Sequence, residues 1–387
     1  MIMPRLPWQK IDLTNTAFLL GTLAITLTAV PAYIWHYGLS WFQVAMFVVF
    51  YILTGLSITL GYHRLFSHRS FQAKWPVKLG TLIFGAAAFE NSALTWCADH
   101  RQHHKHTDHD DDPYDISKGF FHAHMGWILF KCGPPPVFEC VPDLEQDPLV
   151  RWQHKHYALI GFLASFGLPT LLGGLVEGPI GALGGLLIGG IARVVAVQHS
   201  TFFINSLCHT LGTQPYSDRC TARDHWLMAF FTFGEGYHNY HHAFQHDYRN
   251  GVKAWQFDPT KWSIWLLSKL GLASQLRRVP AERIRHAEIT EQQRQLAAKM
   301  ATMPAAKAEQ LRIQVEAVQA RLREAYEHWE KLEVEYRRVM DKKFEASKEK
   351  LAELAREFRE AREKLIAAFH EWERAHSTAL SAVLAGA

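Results

Sequence analysis

The segment AFLLGTLAITLTAVPAYIW, Ala17 to Trp35, contains no charged residue and is long enough to cross a membrane. A helix needs roughly 20 predominantly apolar residues to span the hydrocarbon core of a bilayer. Three further runs meet this requirement, and among them only the last contains a charge, Arg193 near its end. We therefore predict four transmembrane helices, at residues 17–35, 41–61, 157–176 and 179–197.

The chain changes character near residue 280. Of the 387 residues, 20% are charged and 13% are aromatic, but the aromatic residues dominate before this point and Glu, Lys, Arg and Ala dominate after it. We predict a membrane domain at 1–280 and a charged helical extension at 281–387. The net charge of +4 is small for this length and argues against a nucleic-acid partner.

The cysteines are odd in number and show no CxxC pairing, so they predict reduced thiols facing a cytosol. They are Cys97, Cys132, Cys140, Cys208 and Cys220.

The loops between the predicted spans differ in positive charge. His36 to Ser40 and Glu177-Gly178 carry no Lys or Arg, whereas the middle segment and the C-terminal part carry many. The positive-inside rule then places both termini and the middle segment in the cytosol. Within the middle segment, Val77 to Trp96 and Phe120 to Phe130 are expected to form amphipathic helices at the membrane face.

Many of the 23 histidines fall in three short clusters. HRLFSH closes the second predicted span, HRQHH lies in the middle segment and HNYHH follows the fourth span. Four spans bring all three clusters to one membrane face, as a shared site requires. On a helix, positions i, i+3 and i+4 lie on one face, so HxxHH is expected to direct three imidazoles at one point.

Eight neutral imidazole nitrogens suit two metal ions. Imidazole binds iron, copper, zinc and nickel, but zinc is redox-silent and needs fewer ligands. Two redox metals beside hydrocarbon indicate oxygen chemistry on an aliphatic chain, because an unactivated methylene has no acidic proton and no leaving group. The alternative from another class is a non-enzymatic histidine-rich metal-binding or transport protein. Its histidines should line the spans, and no predicted span interior contains one.

Five motifs, GYHRLFSHRSF, WCADHRQHHKHTDHDDDPYD, GFFHAHMGWIL, NSLCHTLGTQPY and GEGYHNYHHAFQHDYR, follow one another along the chain. Together they resemble the membrane fatty-acyl desaturases, most closely the stearoyl-type Δ9 group, over Leu60 to Ala273. Membrane hydroxylases share the general three-cluster pattern and are the closest alternative. The last motif is much more similar to desaturases than to hydroxylases.

The resemblance implies a di-iron centre ligated by the cluster histidines, a ninth histidine and an asparagine that holds a metal-bound water. These residues are His63, His68, His100, His103, His104, His209, His238, His241, His242 and Asn205. Asn91, Trp96 and Asp99 match substrate-contacting positions.

The remaining histidines of this region match no ligand position and are expected at the surface or beside the ligands. They are His106, His109, His122, His124, His154, His156, His199, His225 and His246. The acidic residues Asp108, Asp110, Asp111 and Asp112 are expected to orient ligand imidazoles or, for most of them, to stay solvated.

The implied reaction is oxidative desaturation. Two electrons reduce the irons, O2 is the co-substrate, and hydrogens leave carbons 9 and 10 of a saturated chain as a cis alkene and two waters form. Ala98 and Phe130-Lys131 stand where animal acyl-CoA enzymes have basic residues, so acyl-CoA, acyl-lipid and acyl-carrier-protein substrates stay open. The chain lacks electron-carrier motifs, which implies a separate donor (ferredoxin, rubredoxin or cytochrome b5-like) with its reductase.

The C-terminal extension shows apolar residues spaced alternately by four and three, which predicts two heptad seams. One comprises Leu311, Val315, Val318, Leu322, Ala325, Trp329, Leu332, Tyr336 and Val339, and the other Leu351, Leu354, Phe358, Ala361, Leu365, Ala368 and Trp372. A self-associating coiled coil and an antiparallel hairpin within one chain both fit. The predicted fold class is therefore all-α: a four-helix transmembrane bundle, a cytosolic helical cap with a di-metal site, and a coiled-coil-like extension.

Overall fold

A computed structural model of the chain describes residues 10–131, 133, 135–341 and 348–386. Helix accounts for 76% of the structure. The chain divides into two compact units: Met1–Gln214 with Asp218–Arg278, and Pro215–Ser217 with Val279–Ala387. Of the cysteines, Cys132 lies outside the described residues, and the four described ones are free thiols.

The first unit is built from α-helices and one short antiparallel strand pair. The helices are α1 (Leu13–Tyr37), α2 (Trp41–Leu56), α3 (Trp75–Ala86), α4 (Ala93–His106), α5 (Trp127–Leu129), α6 (Pro142–Glu145), α7 (Pro148–Phe162), α8 (Leu168–Gly184), α9 (Arg193–Ser206), α10 (Trp226–Phe231), α11 (His238–Ala243) and α12 (Pro259–Lys269). Segments of π-helix lie at Ser57–Ser67, His122–Gly126, Leu163–Gly167 and Gly185–Ala192. Strands β1 (Gln72–Ala73) and β2 (Ala273–Ser274) pair with Gln72 opposite Ser274.

Three helical runs are long and apolar enough to cross a membrane: Leu13–Tyr37, Trp41–Ser67 and Pro148–His209. Asp12 begins the first by accepting the N–H of Asn15, and Ser40 begins the second by accepting the N–H of Gln43. Trp35 and Trp41 are 86% and 87% exposed at the adjoining ends of these two runs. Exposed tryptophans at helix ends are typical of a membrane interface.

The third run reverses direction at one residue. Gly178 has φ 71° and ψ −162°, which are not helical angles. Gly173 and Gly181 approach so closely that a Cβ on either would collide with the backbone of the other. Residues eight apart on a straight helix lie about 12 Å apart, so the chain folds back here. Residues 157–176 and 179–197, predicted as separate spans, lie on opposite sides of this reversal.

The segment Val77 to Trp96 is not the single amphipathic helix that the sequence predicted. Helix α3 ends at Ala86, and α4 begins only after Ser92, whose hydroxyl accepts the N–H of Thr95. Between them Phe89 and Asn91 have positive φ angles of 55° and 76°. Such angles do not fit an α-helix, and they separate the two helices.

The buried charge in the fourth predicted span, Arg193, holds this break in place. Its guanidinium donates to the Ala87 carbonyl at 2.8 Å and to Ser165 Oγ at 2.6 Å, and its Nε donates to the Gly189 carbonyl at 3.2 Å. A buried cation is tolerated when its donors are satisfied. Arg193 therefore connects the segment that follows α3 to the third helical run.

The second unit contains α13 (Ala281–Met300), α14 (Ala305–Asp341) and α15 (Lys348–Gly386). Tyr336 stacks on Phe358 with ring centroids 5.2 Å apart, and Arg321 pairs with Glu371, so α14 and α15 run antiparallel. The two predicted seams meet each other here, and Val315, Val318, Leu322, Trp329, Ala361, Leu365, Ala368 and Trp372 are buried together. Within the described residues both seams are thus covered inside one chain.

Candidate metal centre

Nine histidines of the first unit form two adjacent sets. In each set the ring nitrogens lie within 4.8 Å of one another. The five-histidine set is His63, His68, His100, His104 and His241, and the four-histidine set is His103, His209, His238 and His242. These nine are the histidines that the sequence resemblance singled out, and the structure brings all of them together.

Within each set the Nε2 atoms point at a common centre. In the five-histidine set His63 and His241 are 3.0 Å apart, His68 and His100 2.8 Å, and His104 and His241 2.9 Å, all between Nε2 atoms. In the four-histidine set the Nε2 atoms of His209 and His238 are 3.0 Å apart, and those of His103 and His242 3.3 Å. Imidazole nitrogens that converge at this spacing form a donor set suited to a bound metal ion.

The HxxHH clusters do not direct three imidazoles at one point, and this expectation was wrong. His100 and His104 of α4 enter the five-histidine set, whereas His103 enters the four-histidine set. On α11, His241 joins the first set and His238 and His242 join the second. Successive helical residues diverge by about 100°, so positions i+3 and i+4 of one cluster reach neighbouring centres. Each of the two HxxHH clusters therefore contributes to both sets.

Behind the five-histidine set lies a buried charged network that sequence reasoning missed. Glu235 Oε2 is 2.8 Å from Nδ1 of His63, and Glu235 Oε1 accepts from Arg64 Nε at 3.0 Å. Arg64 also donates to Asp258 Oδ2 at 3.1 Å and to the Tyr248 carbonyl at 2.8 Å. Burial raises the pKa of Glu235, but the Arg64 charge and the His63 contact outweigh it and lower that pKa. The ionised carboxylate fixes the His63 ring with Nε2 facing inward.

Two of the four aspartates in the acidic run, Asp108 and Asp112, support the four-histidine set. The prediction that most of this run is solvated therefore holds for only two of its four members. Both carboxylate oxygens of Asp112 lie within 2.9 Å of Nδ1 of His103. Asp108 accepts the N–H and the hydroxyl of Thr221 at 2.6 and 2.7 Å, and that hydroxyl lies 2.8 Å from Nδ1 of His209. Asp110 and Asp111 are exposed.

These contacts keep the Asp108 and Asp112 carboxyls ionised. Burial raises the pKa of Asp108, but hydrogen bonds from His209 and Thr221 outweigh it and lower it to about 2. The pKa of Asp112 is lowered in the same way by His103, against its burial. Because each carboxylate attracts a proton to the Nδ1 side, Nε2 keeps its lone pair for the centre.

Six of these histidines have pKa values that favour the neutral form. Burial lowers the pKa of His68, His100, His104, His238, His241 and His242 well below the usual value, and neighbouring imidazoles lower it further. Neutral imidazole is the form that binds a metal ion.

The residues fit a pair of transition-metal ions. Two nitrogens bound to one ion at about 2.1 Å, with an angle of 90–110°, lie about 3.0–3.4 Å apart. The Nε2 pairs described above span 2.8–3.3 Å. The donors are all nitrogen, and carboxylates lie behind the rings on the Nδ1 side, as in metal sites with oriented histidines.

A cavity of about 420 Å³ ends at this centre. His63, His100 and His238 form part of its wall, and the rest comes largely from apolar and aromatic side chains of α1, α2, α4 and α9. All four remaining predicted site residues line it: Asn91, Trp96, Asp99 and Asn205. Trp96 also stacks on His100, with ring centroids 4.7 Å apart. Asn205 lies in the cavity wall.

Two acids in the cavity wall have pKa values shifted towards the neutral form. Burial raises the pKa of Asp99 to about 7 and that of Glu90 to about 8. A largely uncharged, apolar cavity of this kind accepts an aliphatic chain.

The model of the fatty acid desaturase family matches residues 39–265, more than half of the chain. The chain belongs to the fatty acid desaturase family. The matched region contains all nine converging histidines: the eight of the three clusters and His209.

Named desaturases are similar to this family member over most of the first unit. Acyl-CoA desaturase 1 of Saccharomyces cerevisiae is 44% identical over 286 residues, covering 72% of this chain and 55% of the yeast protein. The sn-1 stearoyl-lipid 9-desaturase of Anabaena variabilis is 35% identical over 274 residues, covering 69% and 94%. Stearoyl-CoA desaturase 5 of Homo sapiens is 35% identical over 232 residues, covering 59% and 70%. The chain spans about half the length of the two yeast relatives it matches.

The histidines that match no ligand position in the family lie outside both sets, and five of them make polar contacts elsewhere. His225 begins α10 by accepting the N–H of Met228, and His154 Nδ1 lies 2.7 Å from Ser92 Oγ. His246 Nδ1 lies 3.1 Å from the His68 carbonyl oxygen, and His124 and His199 face each other at 3.0 Å. His106, His109, His122 and His156 also lie outside both sets.

The supporting residues that the sequence analysis missed are Arg64, Glu235, Thr221 and Tyr114, whose hydroxyl is 3.3 Å from His100 Nδ1. An acid or hydroxyl close in sequence to a histidine cluster is a weak signal of a supporting residue. Glu235, three residues before His238, shows this signal.

Proposed function

We propose that the chain is an O2-dependent di-iron fatty-acyl desaturase that introduces a cis double bond, at the Δ9 position, into a saturated acyl chain. The observation that carries this proposal is the apolar cavity that ends at two sets of converging Nε2 atoms. A metal-binding or transport protein has no need for an apolar cavity beside its ligands. No feature of the site favours hydroxylation over desaturation.

One iron would be held by the five-histidine set, and the other by the four-histidine set with Asn205 through a water. When bound, the two irons supply the activation of O2 and the oxidising power that an unactivated methylene requires. The nine histidines orient the metals, and Glu235, Asp108 and Asp112 hold the rings in the ligating tautomer.

The protein's own part in the reaction is to position the acyl chain and exclude water. Trp96 touches both the cavity and His100, so it fixes how close a methylene comes to the centre. Phe18, Phe89 and Tyr51 supply apolar wall around it. Holding the reacting carbon in place converts a weak encounter into an effectively unimolecular step. Asn91 and Asp99 would contact the substrate from the same wall.

The acyl carrier is acyl-CoA or acyl-lipid. The relatives include a protein named acyl-CoA desaturase and one named stearoyl-lipid 9-desaturase. At the cavity wall Lys131 remains as a cation, 3.5 Å from Asp12, whereas Phe130 and Ala98 are uncharged and buried. Electrons would come from a separate ferredoxin, rubredoxin or cytochrome b5-like donor with its reductase.

The proposed topology has four spans, with both termini and the metal centre in the cytosol. The reversal at Gly178 supports two crossings within Pro148–His209. The exposed Trp35 and Trp41 support an outer interface at the first turn. All histidine sets would then lie on the opposite, cytosolic side.

The function is tested by expressing the full chain, with candidate electron donors, in a host that lacks its own desaturase. Gas chromatography of total fatty acids should show new monounsaturated chains, and disulfide adducts should place the double bond between carbons 9 and 10. Hydroxylated chains would instead establish the hydroxylase, and an unchanged profile in cells that contain the iron-loaded protein would refute both.

Replacing Asp108 by Asn should empty the four-histidine set selectively, because Asn has one acceptor oxygen and no charge, whereas the two oxygens of Asp108 accept both the N–H and the hydroxyl of Thr221 and so direct that hydroxyl towards His209. Loss of such a partner costs about 10–100-fold in metal affinity. Iron per chain, measured after a graded chelator challenge, should fall from two towards one.

The matched control is Asp111→Asn, since the Asp111 side chain is 67% exposed and lies 3.9 Å from His106. It should keep both irons. Full retention by Asp108→Asn, or loss of both irons together, would show that the two sets are not separately supported.

A further inference from the structure

Helix α10 and the turn after it form an apolar surface, of which Trp226, Leu227 and Phe230 lie outside the lining of the substrate cavity. The sequence WLMAFFTFG, residues 226–234, contains no charge. Trp226 is 70% exposed and Phe230 55%, and Leu227 and Phe231 are also exposed. Four adjacent large apolar side chains without cover are unusual at a surface that faces water.

This segment is attached to the middle of a membrane-crossing helix. The Tyr51 hydroxyl of α2 donates to the Phe231 carbonyl at 2.8 Å and lies 2.9 Å from Ser200 Oγ of α9. The Phe233 ring lies directly against Gly55, where any side chain would collide with it. The end of α10 is therefore fixed between α2 and α9.

The attachment point lies deep in the predicted bilayer. Tyr51 is about 15 Å along α2 from Trp41 at a rise of 1.5 Å per residue. The hydrocarbon core is about 30 Å thick, and Trp41 marks its outer edge. The Phe231 carbonyl is therefore near the middle of the bilayer, and α10, about 9 Å long, occupies the depth of the inner leaflet.

The backbone of the segment is suited to that depth. Thr232 N–H donates to the Met228 carbonyl at 2.9 Å, and Gly234 N–H donates to the Ala229 carbonyl at 2.8 Å. The Phe231 carbonyl is satisfied by Tyr51. Non-helical backbone at membrane depth is tolerated where it is buried in protein, and Thr232 and Phe233 of the turn are buried.

The apolar surface continues towards the cytosol through aromatic rings in contact with one another. Phe230 contacts Phe257 and Phe257 contacts Trp262, with centroids 5.1 and 5.3 Å apart. Trp265 of α12 is 48% exposed and has the Lys269 ammonium 5.5 Å from its ring. Phenylalanine nearest the membrane centre, then tryptophan, then lysine is the order that an approach to the lipid headgroups produces.

We propose that α10 is a re-entrant element inserted into the cytosolic leaflet, and that lipid acyl chains cover Trp226, Leu227, Phe230 and Phe231. The inference rests on the proposed crossing of the bilayer by α2. Phe231 also lines the substrate cavity. One layer of side chains therefore separates an acyl chain inside the cavity from the lipids outside.

The test uses the full, iron-loaded chain in nanodiscs of a single phospholipid. A benzophenone amino acid replaces Trp226, and irradiation followed by mass spectrometry detects lipid adducts. Leu27, 67% exposed on α1, is the positive control, and Asp111 in the acidic run is the negative control. Iron content shows that each variant is folded.

Lipid adducts at positions 226 and 27, with at least tenfold fewer at 111, are expected. Adducts at 27 but none at 226, or a cross-linked second copy of the chain at 226, would overturn the proposal. Absence of adducts at 27 would instead overturn the topology on which it rests.

Discussion

Replacing His241 by Ala should remove product formation altogether. The Nε2 of His241 lies 3.0 Å from that of His63 and 2.9 Å from that of His104, so this ring occupies the middle of the five-histidine set. Loss of a residue that merely orients a ligand costs about 10–100-fold in metal affinity or activity. Loss of a ligand at this position should cost more and take product below detection.

The measurement is the monounsaturated fraction of cell fatty acids, with iron per purified chain as a second readout. The matched control is His109→Ala in the same histidine-rich run, because that side chain is exposed and outside both sets. His109→Ala should keep full product and both irons. Normal product from the His241 variant would end the assignment of these histidines to the reaction.

Replacing Arg64 by Met should destabilise the first unit strongly. The Arg64 side chain is 1% exposed and pairs with Glu235 and Asp258, which are 4% and 0% exposed. Removing one partner of a buried ion pair costs about 3–5 kcal/mol, because the remaining charge stays buried without compensation. That free energy corresponds to a fall of roughly 10 °C in the apparent unfolding temperature.

Thermal unfolding of the purified chain in detergent measures this effect, and iron content should fall as Glu235 loses its partner. Arg356→Met is the matched control, since Arg356 is exposed and meets Glu360 only at 4.0 Å. Exposed pairs of this kind contribute little. An Arg64 variant that unfolds at the temperature of the Arg356 variant would show that the network does not stabilise the fold.

The meeting of the three histidine clusters could be predicted because it depends only on spans and loop charge. Four predicted spans would place HRLFSH, HRQHH and HNYHH on one side of the membrane, and the helical spacing would place several rings on one face. How the rings divide could not be predicted in this way. His103 and His104 are neighbours in sequence, and which centre each reaches depends on the relative positions of α4 and α11.

The supporting groups depend on contacts between distant parts of the chain. Asp108 reaches Thr221, and Arg64 reaches both Glu235 and Asp258. No local pattern marks such partners, so Asp108 and Asp112 looked like their solvated neighbours. The break at Phe89 and Asn91 was missed for a similar reason. Residues 77–96 are apolar enough for one helix, and Arg193, which hydrogen-bonds to the break at Ala87, lies 106 residues further along the chain.

The contact between His63 and His241 joins residues 178 positions apart. At a synthesis rate of 5–20 residues per second, His63 leaves the ribosome about 10–35 s before the ring it must meet. During that interval the clusters HRLFSH and HRQHH lack both the histidines of HNYHH and Glu235. Neither histidine set is therefore complete until His241 and His242 have been synthesised, and a metal ion that needs a whole set can be bound only after that point.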